Sequence, residues 1–139
     1  MTCELCEPAV APIYRDDKLS IILVEDPNYP GFCRVIWNDH VKEMSDLEVA
    51  DRLRLNDAVW HVETAVREVM EPIKVNVASL GNVVPHLHWH VIPRYVDDAH
   101  FPNPVWAPAV RQVGEQVLAA RRALLPRLLA AIQRRMAQQ

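Results

Sequence analysis

GNVVPHLHWHVIPRY, residues 81–95, holds three of the chain's six histidines at every second position: His86, His88 and His90. Successive side chains of a β-strand point to opposite faces. The spacing therefore predicts a strand with the imidazoles on one side and Leu87, Trp89 and Val91 on the other. The apolar side marks the core, and the imidazoles line something else. Same-face neighbours on a strand are about 6.5–7 Å apart, which puts the outer two histidines about 13 Å apart at Cα, so one metal ion can grip two of them but hardly all three. Three readings stay open on spacing alone. The row is a set of half-buried polar residues, or an H-x-H pair holding a metal with a third ligand such as His40 or a carboxylate, or a nucleophilic middle imidazole oriented by its neighbours. An unperturbed histidine, with a pKa of about 6.5, is mostly neutral at pH 7 and can attack phosphorus without a separate base.

Working outward, IKVNVASL (73–80) alternates as a strand should, and LHWHVIPR (87–94) follows after a short connection, which favours a hairpin over a crossover. Upstream, LSIILVE (19–25) and FCRVIW (32–37) flank the turn-rich DPNYPG (26–31) and predict two antiparallel strands joined by a longer loop. Between the two hairpins, Leu55, Val59, Val62, Val66 and Val69 recur at helical spacing, predicting a helix over 46–70. Ser45 with Glu48 fits a capping box at its start, and Pro72 ends it. AHFPNPVWAP (99–108) is extended and proline-broken, with room for a short edge strand. Leu125, Leu128, Leu129, Ile132 and Met136 share one side of a C-terminal helix over about 122–137, with Pro126 in its first turn and Arg127, Arg134 and Arg135 on a solvated face. The fold class is α+β: an antiparallel sheet of about five strands with a long helix between hairpins and a C-terminal helix.

The 139 residues, half of them apolar, suit one domain spanning 1–139. A formal charge of −3 gives no electrostatic case for nucleic acid, though a nucleotide-sized ligand is compatible with it. No apolar run approaches the ~18 residues of a membrane span, and MTCELCEP carries acids where a secretory signal carries a basic then apolar stretch. The expectation is a cytoplasmic protein with no membrane partner. Three cysteines argue against a disulfide framework there. Cys33, inside FCRVIW, reads as a small buried apolar residue, while Cys3-x-x-Cys6 can chelate a metal or form a redox pair.

NVASLGNVVPHLHWHVIPR (76–94) resembles the signature of the histidine triad (HIT) family of nucleotide hydrolases and transferases. FCRVIWNDHVKEMSDL (32–47) is similar to that family's strand, histidine and helix start, with His40 in the expected place. The resemblance covers about residues 3–106. It implies that His88 is the nucleophile attacking the α-phosphate of a nucleotide conjugate, such as a dinucleoside polyphosphate or nucleoside phosphoramidate. A nucleotidyl-histidine forms and water cleaves it. It implies that His90 contacts the phosphate and balances its charge, and that Asn76 lies close to the substrate. It implies zinc, structural in role, on Cys3, Cys6, His40 and the first triad histidine, His86. It also implies a homodimer with sheets joined across the interface.

The chain departs from the family pattern at two positions. Asn82 follows Gly81 where many members carry Gln, and remains a candidate substrate contact. Val83 stands where Ser or Thr often supplies a hydroxyl. Two other functions stay open: a nucleotidyltransferase passing the group from His88 to a phosphate acceptor, and a zinc-stabilised nucleotide-binding or adaptor module with little turnover. His61, on the polar part of the helix, and His100, in a loop, read as surface histidines. Trp89 reads as core, and Trp106 as a residue packing on the site or on a partner subunit.

Overall fold

Five strands, β1 (Tyr14–Arg15), β2 (Leu19–Leu23), β3 (Cys33–Trp37), β4 (Lys74–Ala78) and β5 (His88–Arg94), form one antiparallel sheet in the order β1-β2-β3-β5-β4. The computed structural model describes residues 3–7 and 10–138. Both expected hairpins are present, with Leu23 opposite Cys33 in one and Ala78 opposite His90 in the other. In the first connection Asp26 accepts the Asn28 N–H at 3.0 Å, and Gly31 takes φ +95°. A Cβ added at Gly31 would come within 3.1 Å of the Met70 side chain, so the turn needs glycine for both its backbone and its clearance. The two-residue β1 has no counterpart in the sequence reading, since two residues carry no period.

Alternation sorts the sheet into two faces. Leu19, Ile21, Cys33, Val35, Trp37, Val75 and Val91 pack against α1 (Val49–Met70) and α3 (Leu125–Ala137) as the main core. Four of the five periodic residues predicted for the first helix, Leu55, Val62, Val66 and Val69, are buried; Val59 packs partly buried at the edge of the core. Cys33 is fully buried as expected, and burial pushes its thiol up to about 12. Leu128, Ala131, Ile132 and Met136 bury one side of α3, with Pro126 in its first turn.

Three local expectations are corrected. The Ser45–Glu48 capping box does not form: Ser45 lies in a one-turn 3-10 helix, Met44–Asp46, and Glu48 is itself the N-cap of α1. The Asp46 carboxylate, next in sequence, accepts the Glu43 N–H at 2.9 Å and closes a box with Glu43 instead. The segment 99–108 holds no strand but a series of turns, among them Asn103 N–H to the His100 carbonyl at 2.8 Å and Ala107 N–H to the Pro104 carbonyl at 3.0 Å. Its prolines cannot donate to a ladder. The C-terminal helical region is two helices, α2 (Glu115–Arg122) and α3, broken at 123–124 ahead of Pro126.

The opposite face of the sheet carries Ile22, Arg34, Ile36, His88, His90, Ile92, Arg94 and Asn76. Two irregular segments cover its ends. Leu5 of the N-terminal segment packs on Ile22 and Ile36, while Tyr29, Phe32 and Ile92 bury together with Val105 against them. The second cover is pinned by Asp98, which is fully buried and accepts N–H groups of Tyr95, His100 and Phe101 and two bonds from Arg94, at 2.8 and 3.1 Å. Burial alone would raise this carboxyl, but Arg94 and the three backbone donors hold it well below the usual carboxylate range.

Candidate active site and metal centre

Between the two covers the sheet face opens into a cavity of about 430 Å³ whose floor is Arg34, His88 and His90. Its rim comes from Glu4, from the loop 80–84 and from Trp106. The three triad histidines are all buried but stand in different surroundings.

His86 lies just ahead of β5 rather than on it, its N–H bonded to the Val84 carbonyl at 2.8 Å across Pro85. Its Nε2 is 2.5 Å from the Trp37 carbonyl. A carbonyl only accepts, so Nε2 carries the proton and Nδ1 presents a lone pair. That Nδ1 faces Cys3 Sγ at 3.4 Å, Cys6 Sγ at 3.5 Å and His40 Nδ1 at 3.1 Å, and Cys6 Sγ is 3.4 Å from His40 Nδ1. Four potential ligand atoms thus lie within 4.8 Å of one another. Two cysteine sulfurs and two imidazole nitrogens converging at this range are a donor set that suits a metal cation. Cys3, Cys6, His40 and His86 form a group that can hold a metal ion.

One residue pair further on, the same logic fixes His88. Its Nδ1 is 2.5 Å from the His86 carbonyl, so Nδ1–H donates and Nε2 keeps its lone pair at the cavity. Burial lowers the His88 pKa, and Arg34 and His86 lower it further, partly offset by that hydrogen bond. His90 packs edge-on to His88, Phe32 and Trp106 at centroid distances of 4.9, 5.7 and 5.5 Å. Burial, His88 and Arg34 push its pKa down to about 4, so it is neutral at neutral pH, and its Nδ1 has no hydrogen-bond partner among the described residues.

The two candidate asparagines fare differently. Asn82 is exposed and lines the cavity beside Val83, which is 92% exposed and offers no hydroxyl. Asn76 does not line it: its Oδ1 accepts the Arg94 Nη1–H at 2.7 Å, tying it to the Asp98 cluster. His100 belongs to that cluster too, with Nδ1 2.6 Å from the Tyr29 hydroxyl and its ring stacked on Tyr29, so it is not a free surface histidine. His61 is half-buried, with Nε2 3.2 Å from Asp57. Trp89 is partly buried against the core, and Trp106 is half-exposed at the cavity rim. Arg34 and Glu4 were not among the candidates from sequence, although a charged residue at the centre of FCRVIW was the available signal.

The HIT domain family model matches residues 8–97. The chain belongs to the HIT family. Its solved relatives include a histidine triad protein from Bradyrhizobium japonicum, 26% identical, with TM-score 0.72 over 90% of this chain and 89% of that one. One from Marinobacter aquaeolei is 29% identical, with TM-score 0.68 over 88% and 90%. A zinc-bound histidine triad family protein from Mycobacterium smegmatis shares the fold at 21% identity, with TM-score 0.65 over 100% and 99%. A search of the curated proteins finds no match. Among the described residues of this HIT protein, no helix is long and apolar enough to cross a membrane.

Proposed function

We propose that this HIT protein hydrolyses a nucleotide conjugate at its α-phosphate through a nucleotidyl-histidine on His88. The observation that carries the reading is the 2.5 Å bond from His88 Nδ1–H to the His86 carbonyl, which turns Nε2 into a fixed lone pair at the cavity floor. Nε2 forms a bond to the α-phosphorus as the bond to the leaving group breaks and its electron pair departs with that group. The ring becomes cationic and keeps its Nδ1 proton on the carbonyl. Water then attacks phosphorus, the P–N bond breaks, and mononucleotide, neutral His88 and one proton result. His90, neutral and lining the cavity, meets a phosphate oxygen as a hydrogen-bond donor. Asn82 contacts the substrate from the rim, and the apolar rim suits a base or ribose.

The metal of the Cys3, Cys6, His40 and His86 group is zinc in this reading. Zn–S of about 2.3 Å and Zn–N of about 2.0–2.1 Å imply tetrahedral edges of roughly 3.3–3.8 Å. The sulfur contacts of 3.4 to 3.5 Å fall within that range and the 3.1 Å contact of His40 with His86 lies just under it, and the Trp37 carbonyl orients the His86 ring as an outer-shell partner does. A zinc-bound protein of the same fold adds support. When bound, zinc supplies a fixed crosslink. His86, held by it, positions the carbonyl that orients His88.

A homodimer and a reducing, cytoplasmic setting complete the proposal. Val49, Leu53 and Trp60 lie on one side of α1 and are 60%, 65% and 56% exposed, and β4 is an edge strand with Val77 exposed on it and Ile73 exposed just ahead of it. Sedimentation should give a dimer, and Leu53→Glu with Trp60→Glu should shift it to monomer at micromolar concentration. A wild-type monomer removes this part of the proposal.

The central test is a turnover screen of purified protein over dinucleoside polyphosphates and nucleoside phosphoramidates, read by product mass. Mononucleotide release is the expected result, and its absence from every conjugate sinks the hydrolase reading. Repeating the screen with inorganic phosphate or a sugar phosphate separates transfer from hydrolysis.

A further inference from the structure

We infer that Arg34 is a phosphate-binding residue that holds the phosphate next to the one attacked, and so selects conjugates with a polyphosphate leaving group over phosphoramidates. This rests on the nucleotide reading above.

Arg34 sits on β3 directly opposite His90, on the same face of the sheet, and lines the cavity with both His88 and His90. The guanidinium is half-buried, its Nε is shielded from solvent without a partner, and it forms no hydrogen bond or ion pair among the described residues. Burial lowers its pKa and Glu4 offsets this only through space, so the guanidinium's donors are left for the acceptors of a ligand. Every other large buried cation of this face is already spent: Arg94 is bound to Asp98, Asn76 and the Asn103 carbonyl.

Charge decides what the ligand is. Arg34 is the only arginine or lysine among the lining residues, Glu4 is the only carboxylate, and the histidine opposite Arg34 is neutral. The positive charge needed beside phosphate therefore comes from Arg34 and not from His90. Position decides which phosphate. His88 lies opposite Ile36, one same-face step along β3 from Arg34, or about 6.5–7 Å. Rooted one step along the sheet from His88, the Arg34 side chain can reach the phosphate next to the attacked one, which a pyrophosphate or longer chain carries. A phosphoramidate has a single phosphate and no charge to place there. Val83 supplies no hydroxyl on the rim, so Arg34 also provides polar contact that this loop lacks.

The test compares equilibrium binding of AMP and of non-hydrolysable α,β-methylene-ADP to wild type, Arg34→Gln and Arg34→Lys. A charge-assisted contact predicts that wild type binds the diphosphate analogue about 10- to 100-fold tighter than AMP. Arg34→Gln should erase that preference while changing AMP affinity by no more than about threefold, and Arg34→Lys should keep part of it, since lysine retains the charge but not the fork. A preference that survives Arg34→Gln overturns the assignment, as does a wild type with no preference or no binding of either ligand. Retained AMP binding in Arg34→Gln shows that the site still folds. Should wild type show the binding preference yet turn over no conjugate, the hydrolase reading falls and the role of Arg34 stands.

Discussion

His88→Ala should abolish mononucleotide release, with a fall in kcat of at least about 10³-fold, because it removes the nitrogen lone pair that the His86 carbonyl orients at the cavity floor. Affinity for AMP stays within about threefold of wild type, since the substitution removes a group whose bond to phosphorus exists only during reaction. Stopped-time product analysis and calorimetry read the two quantities. With wild type, brief mixing and acid-free denaturation should trap protein heavier by one nucleotidyl group in intact-mass spectra, and the adduct should be missing from His88→Ala. Retained turnover in the alanine variant would falsify the nucleophile assignment. His86→Ala is a poor substitute for this experiment, because it removes both a candidate metal ligand and the side chain that anchors the residue whose carbonyl orients His88.

Metal removal has the second large effect. Cys3→Ser with Cys6→Ser should lower zinc content of protein purified without added metal from about one equivalent to near zero. The antiparallel sheet, α1 and α3 form their own core, so the chain stays folded, unlike a zinc finger. The loss falls on the N-terminal cover, whose Leu5 packs on Ile22 and Ile36, and on the His86 carbonyl. About 2–3 kcal/mol of stability, a drop of roughly 10 °C in thermal midpoint, is the expected cost. Turnover should fall with it, and zinc added back to chelator-treated wild type should restore both. Unchanged metal content and midpoint in the double-serine variant would remove zinc from this account.

Much of the architecture was legible along the chain. Leu55, Val62, Val66 and Val69 recur with the helix period, and residues 88–94 with the strand period, and a period of that length survives any tertiary context. The short elements were not legible. A two-residue strand has no period, and Ser45 followed by Glu48 satisfies a capping pattern that a nearer carboxylate, Asp46, takes over. The same distinction runs through the site. His40, His86, Cys3 and Cys6 were found together because the resemblance to the HIT family implies them as one ligand set, whereas Arg34 looked like one more charge until β3 was laid beside β5. Asn76 shows the converse: its position pointed to substrate, and Arg94 has claimed its carbonyl.

By itself, then, the sequence determined the α+β class, the two hairpins, the core face of the long helix and the placement of His88 and His90 on one sheet face, because each follows from backbone periods and side-chain chemistry over contiguous residues. The family resemblance implied different roles for the three histidines, and only the tertiary structure decided what sets them apart physically. The carbonyl of Trp37, 49 residues from His86, turns one imidazole toward two cysteines. The carbonyl of His86 turns the next toward the cavity, and burial strips the third of its charge. Hydrogen-bond partners and burial are set by distance in space, and along this chain those distances are not written.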